Sequence, residues 1–155
     1  MARSTLRRSR AQAPLRIALE RAQPGAVSRA LWNGLVRTNR EKAGPLRYSR
    51  AVIAVRDAKG RVQGGLILQS YWLESYVELL WLAAHARGAG VGSRLIAEAE
   101  RIARRRGSRL IHLNTYSFQA PKFYEKLGYR RFGGMSGSPK GASRHFYAKR
   151  LRPAG

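Results

Sequence analysis

The feature that most constrains this chain is the run HARGAGVGSRLIAEAERIARRRG, residues 85–107. Three glycines at alternate positions, Gly88, Gly90 and Gly92, lead straight into an amphipathic helix. Val91, Leu95, Ile96, Ala99, Ile102 and Ala103 recur at helical spacing, and Gly107 marks the stop. The apolar run SYVELLWLAA (75–84) before it reads as a strand with a mostly buried face. Strand, glycine-rich turn and helix form a unit whose first helical N–H groups lack internal partners and carry the positive end of the helix dipole. Glycines let an anion approach that backbone closely, so a phosphate or pyrophosphate is expected at residues 88–93. The spacing G-x-G-x-G is not the dinucleotide pattern G-x-G-x-x-G, and the Gly-Lys-Ser/Thr of a P-loop is absent. A tight connection with no ligand has the same appearance at this level.

The rest of the chain supplies a sheet for this unit. PLRIAL (14–19) reads as a short first strand, and residues 24–44 as a helix with Val27, Ala30, Leu31, Leu35 and Val36 on one face. SRAVIAVRD and RVQGGLILQSYW flank the turn AKG and form an antiparallel hairpin, in which Gly64 and Gly65 suggest a bulge or a close backbone approach. RLIHLN (109–114) is the next strand and QAPKFYEKLG (119–128) a short helix closed by Gly128. YRRFGG and SRHFYAKRL are two last strands joined by a Gly- and Ser-rich loop. The order implies an α/β (α+β) domain, a mixed sheet with helices on its faces, over residues 13–152. Residues 1–12 read as a basic flexible arm.

Composition narrows the chemistry. There is no cysteine, so disulfides and a thiol nucleophile are excluded. The three histidines, His85, His112 and His145, show no ligand spacing, and no metal is expected. No apolar run is long enough to span a bilayer, which points to a cytoplasmic protein without membrane contact. Thirty-one Lys and Arg face eight Asp and Glu, a formal net charge of +23. Such a field draws polyanions and anionic small molecules and gives a basis for weak nucleic-acid affinity.

A second segment, SFQAPKFYEKLGYRRFG (117–133), completes a specific signal. Arg87, Gly90 and Gly92 match the Arg/Gln-x-x-Gly-x-Gly/Ala motif of the GNAT N-acetyltransferase superfamily, with Gly88 at a common glycine position. Ala120, Phe123, Tyr124, Gly128 and Tyr129 match its Ala-x-x-Phe/Leu-Tyr-x-x-x-Gly-Phe/Tyr motif. The chain thus resembles a small bacterial GNAT enzyme from about residue 14 to 151. The resemblance implies a mostly antiparallel sheet of six to seven strands flanked by about four helices. It also implies a V-shaped splay between the fourth and fifth strands, counted from PLRIAL.

The same resemblance implies acetyl-coenzyme A (acetyl-CoA) as cosubstrate, with no metal. Its pyrophosphate is expected on the N–H groups of Gly88, Ala89, Gly90, Val91, Gly92 and Ser93, with Arg87 assisting. Its pantetheine arm is expected to pair with the backbone near Leu80 and Leu82, like an added strand. A primary amine attacks the thioester directly in a ternary complex, and a backbone N–H, with Leu82 the candidate, polarises the carbonyl oxygen. Tyr124 matches the usual general acid, and Glu78, an acid in the apolar run YVELLW, is the candidate base, directly or through water. Glu74 and His112 are weaker alternatives. Two departures stand out: Ala84 where many members have proline, and Ser117 where many have an asparagine near the pantetheine or the catalytic water.

The resemblance implies an acceptor that is an amine on a small molecule, peptide or protein, contacted by variable segments, here the first helix and the loop 133–143; Tyr71, Trp72 and Trp81 are candidates to line its pocket, with core or sheet packing the commoner fate of such residues. The positive field disfavours polycationic acceptors unless Glu74 and Glu78 form a local acidic patch, and it suits acidic peptides, protein N-termini or aminoacyl-tRNA. A nucleic-acid- or ribosome-associated binding protein on the same scaffold is the alternative. A homodimer is expected from the habits of relatives.

Overall fold

A computed structural model describes residues 15–152 of the chain. The chain divides after Lys42 into two units. In the first, residues 15–20 carry no regular structure, and a helix, α1, runs from Pro24 to Ala43. The helix is the one the 3.6-residue spacing predicts. The strand expected over 14–19 is corrected: no ladder hydrogen bond reaches residues 15–19, and Leu15 and Ile17 are fully exposed. Alternation alone does not make a strand without a partner edge. The basic arm read over residues 1–12 lies outside the described residues.

The second unit is built on a six-stranded sheet. Its strands are β1 (Ser49–Arg56), β2 (Val62–Tyr71), β3 (Glu74–Leu82), β4 (Leu110–Tyr116), β5 (Arg130–Ser136) and β6 (Ser143–Arg150). They lie in the order β1-β2-β3-β4-β6-β5, and only the β3–β4 pair is parallel. A single 3-10 turn (Ala84–Ala86), the helix α2 (Val91–Arg105) and the short helix α3 (Pro121–Lys126) complete it. The described fold is therefore six strands with three α-helices, and the counting of strands begins at the hairpin.

Local chemistry explains each element. Asp57 organises the β1–β2 turn, accepting hydrogen bonds from the backbone N–H groups of Lys59 and Arg61. The Gly64–Gly65 pair meets the expectation of a close approach: a Cβ on Gly65 would lie 2.4 Å from the Ile53 carbonyl oxygen. The apolar stripe of α2 lands on the sheet, with Leu95, Ile96, Ala99 and Ala103 all buried against Leu66, Leu68, Val77, Ile111 and Leu113. Burying side chains of this size stabilises the fold by about 1.5–3 kcal/mol each for the larger ones. One charge enters this layer. Glu100 of α2 is buried, and its carboxylate accepts hydrogen bonds from Lys149 Nζ (2.8 Å) on β6 and Arg104 (3.0 Å). The pairing ties the helix to the far half of the sheet. Pro121 opens α3 at a position where its missing N–H costs nothing.

Candidate active site

The site begins where the sheet comes apart. β3 and β4 are paired only from Glu74↔Leu110 to Val77↔Leu113. On its other side, β3 slips register against β2: Leu68 faces Val77 but Ile67 faces Leu79, which leaves Glu78 as an extra residue in a bulge. A bulge bends its strand and strengthens the local twist. Beyond it, β3 and β4 diverge around a cleft of about 960 Å³. This is the splay that the resemblance implies.

One end of the cleft is lined by Gly88, Gly90, Gly92 and Ser93. Gly88 and Gly90 hold φ of +81° and +74°, and nothing stands within 4 Å of where a Cβ would be, so backbone conformation, not space, requires glycine there. Gly92 differs: a Cβ on it would approach Phe123 to 3.2 Å. The first turn of α2 has no side-chain cap and no acidic residue, so its free N–H groups face the loop with their partial positive charge. Arg87 lines the same end and donates from Nε to the Leu82 carbonyl at 3.0 Å. That bond fastens the loop to the end of β3. Lys126 adds a second cation. Uncapped amides, an open cradle and two cations fit the diphosphate of a coenzyme A thioester.

The middle of the cleft is apolar and carries a phenol. Leu80, Leu82, Phe123 and Tyr124 line it. Tyr124 is 7% exposed, packed edge-on against Phe123 (5.0 Å between centroids) and Tyr129 (6.0 Å). Burial pushes its phenol above the usual value of 10, so it is protonated at neutral pH. Among the described residues no hydrogen-bond partner meets its hydroxyl.

At the opposite end stands Glu78, the sole carboxylate among the lining residues. It is not buried in the apolar strand as its neighbours suggest. Alternation from the buried Ser75 and Val77 puts it on the face of Tyr76, with its side chain 37% exposed. Its Oε2 accepts a hydrogen bond from Gln69 Nε2 at 2.7 Å and a longer one from Arg50 Nε at 3.4 Å. Across from it, Asn114 donates to the Tyr76 hydroxyl and accepts from Arg144 Nε, both at 2.8 Å. Tyr116 stacks on Phe118 at 5.2 Å, and Arg144 lies over the Tyr116 ring. These groups share the sheet face opposite α2.

The structure thus gathers Glu78, Leu80, Leu82, Arg87, Gly88, Gly90, Gly92, Ser93 and Tyr124 around one cleft. Three expected residues do not line it. Val91 packs against the core, Ala89 lies off the cleft, and Ser117 is engaged with β6, donating its N–H to the Ser143 carbonyl (2.8 Å) and accepting the Ser143 N–H at its hydroxyl (3.1 Å). His112 stacks on Tyr76 at 5.0 Å, away from the cleft, and burial lowers its pKa. Trp81 lines the cleft, while Tyr71 and Trp72 form an edge-on pair at the β2–β3 turn. Among the described residues of 133–143, none lines it. Gln69, Arg50, Asn114 and Phe118 are the residues that sequence reasoning missed. The alternation His112-Asn114-Tyr116 is a visible trace of Asn114 alone.

Among the described residues no His, Asp and Glu cluster could hold a metal ion, and no helix is long and apolar enough to cross a membrane.

Comparison with known proteins identifies the family. Residues 47–131 match the family model of the acetyltransferase (GNAT) domain. A blasticidin-S acetyltransferase of Streptomyces morookaense is 44% identical over 94 residues, covering 60% of this chain and 69% of its own. An acetyltransferase of Agrobacterium fabrum is 30% identical over 127 residues, 81% of this chain and 91% of its own. The crystal structure of an acetyltransferase from Bacillus cereus superposes with a TM-score of 0.77 at 33% identity, covering 87% of this chain and 98% of that one. The chain belongs to the GNAT acetyltransferase family, an N-acetyltransferase whose acetyl donor is acetyl-CoA.

Proposed function

We propose that the protein transfers the acetyl group of acetyl-CoA to a primary amine of a small antibiotic-like acceptor, by direct attack within a ternary complex. The observation that carries this reading is the order of groups along one cleft. An amide-lined, cationic end at Gly88–Ser93 and Arg87 is followed by a buried phenol at Tyr124 and then by the carboxylate of Glu78. That order suits a diphosphate, a departing sulfur and an incoming amine.

The donor supplies an activated thioester carbonyl. The first-turn amides of α2 hold the phosphates, and the end of β3 near Leu80 and Leu82 orients the arm between the diverging strands. Tyr124 gives its proton to the departing thiolate; its raised pKa keeps it a neutral, protonated phenol throughout the neutral range. Glu78 takes the proton of the attacking amine, directly or through water. As the lone carboxylate of the cleft, it also offers a cationic amine a local counter-charge that the overall +23 does not.

The likeness to a blasticidin-S acetyltransferase supports an amine-bearing antibiotic as acceptor. The test is an acceptor screen with acetyl-CoA and thiol-release detection, with blasticidin S, an acidic peptide and aminoacyl-tRNA among the amines. Turnover of blasticidin S is expected. Turnover of the peptide or the tRNA alone would move the acceptor to another class, and no turnover of any amine would defeat the reading. Nucleic-acid affinity as an additional property rests on charge alone, and a salt-dependent mobility shift with tRNA tests it.

A further inference from the structure

Three strands meet at Glu78. Arg50 on β1 faces Gln69 on β2, and Gln69 faces Tyr76 on β3, so all three side chains share one sheet face. Gln69 and Arg50 both bond the same carboxylate oxygen, Oε2, and among the described residues Oε1 has no partner. The two donors are unequal. Gln69 Nε2 lies at 2.7 Å and belongs to a half-buried residue in the sheet interior. Arg50 Nε lies at 3.4 Å on a side chain 46% exposed. An exposed pair at that distance is loose and screened.

We infer that Gln69 is a positioning residue, whose amide holds one oxygen of Glu78 and leaves the other aimed at the acceptor amine. This rests on the reading of Glu78 as the base. The bulge explains why such a restraint is needed. Glu78 is the extra residue where β3 has left β4, so no cross-strand neighbour on that side limits its rotamers. A flexible carboxylate pays an ordering cost each time it meets an amine. A neutral amide donor fixes the group without taking up its charge, which an arginine at the same distance would do.

The test is a double-mutant cycle in steady-state kinetics, using blasticidin S or, if it is not turned over, the best amine of the acceptor screen. Gln69→Met keeps the length of the side chain and removes the donor. It is expected to lower kcat about tenfold, the scale of one hydrogen bond to a charged group, with KM for acetyl-CoA unchanged. In a Glu78→Gln background the same change is expected to do nothing further, because the base that Gln69 positions is already gone. Equal losses in both backgrounds would make Gln69 merely structural, and no loss in either would make it idle; each overturns the inference. If Glu78→Gln keeps wild-type kcat, the reading of Glu78 as base fails first and the inference falls with it. Gln69→Asn, one methylene too short to reach, repeats the test should the Met variant melt early, with the same outcomes deciding it.

Discussion

Gly92 and Phe123 touch across the mouth of the cleft: a Cβ added to the glycine would sit 3.2 Å from the ring's Cζ and 3.4 Å from Cε2. Gly92 belongs to the first turn of α2 and Phe123 to α3, the helix that also carries Tyr124. The spacing between cradle and phenol is therefore set by the absence of one carbon.

Gly92→Val should push Phe123, and with it Tyr124, away from α2. Overpacking of this kind costs about 1–3 kcal/mol, more than the roughly 1 kcal/mol a helix gains on losing a glycine. The expected result is a lower melting temperature with a several-fold higher KM for acetyl-CoA. A variant with unchanged KM would show that the contact does not set the site.

Gly90→Ala tests the cradle differently. The position has ample room, but its φ of +74° is a left-handed conformation that costs an L residue about 1–2 kcal/mol. Either the protein loses that stability, or the turn relaxes and its amides no longer converge. In the first case the melting temperature falls while its rise on adding acetyl-CoA stays near wild type; in the second that rise shrinks, which is the outcome expected if the amides of this turn hold the coenzyme. Differential scanning fluorimetry with and without the coenzyme reads this directly.

Tyr124→Phe should lower kcat by about two orders of magnitude, the usual worth of a positioned general acid, while the thermal shift with acetyl-CoA stays near wild type. An acid is lost as pH rises through its pKa. Because burial holds this phenol above its usual 10, kcat should not decline on this account until beyond pH 10. A fall beginning near pH 8, or a Phe variant with full turnover, removes Tyr124 from the chemistry.

His112 predicts a pH dependence of stability. Its folded pKa lies below the ordinary 6.5, first because burial disfavours the cation, with Glu74 opposing weakly. The unfolded chain therefore binds the proton more readily, and stability is present above the unfolded value and lost as pH falls below it. Nε2 is buried without a partner, so a proton there finds no acceptor. The melting temperature of the wild type should drop on going from pH 7 to pH 5, and that of His112→Phe should drop less. Parallel curves would assign the acid sensitivity to other groups.

Much of this was legible in the residues themselves. The hairpin, α2 and its glycine entrance, and α3 with Tyr124 follow from periodicity, turn chemistry and helix-end physics, which are local. β4 runs to Tyr116, two residues beyond the predicted end, because Gln119 accepts hydrogen bonds from Thr115 Oγ1 and the Tyr116 N–H and so holds the turn later. Residues 15–19 failed as a strand because a strand is a property of a pair. Glu78 was singled out for the wrong reason: its neighbours are apolar, yet alternation from the buried Val77 puts it on the outward face. Register slips leave no mark on one strand's alternation, and for that reason Gln69 and Arg50 stayed invisible. Ser117 was lost to a contact with Ser143, a residue 26 positions away.

The four-pair ladder between β3 and β4 has a geometric consequence. Each further pair would zip about 3.3 Å more of the two strands together, and the cavity would shorten by that amount. Its depth is thus counted in residues. Deleting the inserted Glu78 would restore the register of β3 against β2, the neighbour on the side away from the cleft.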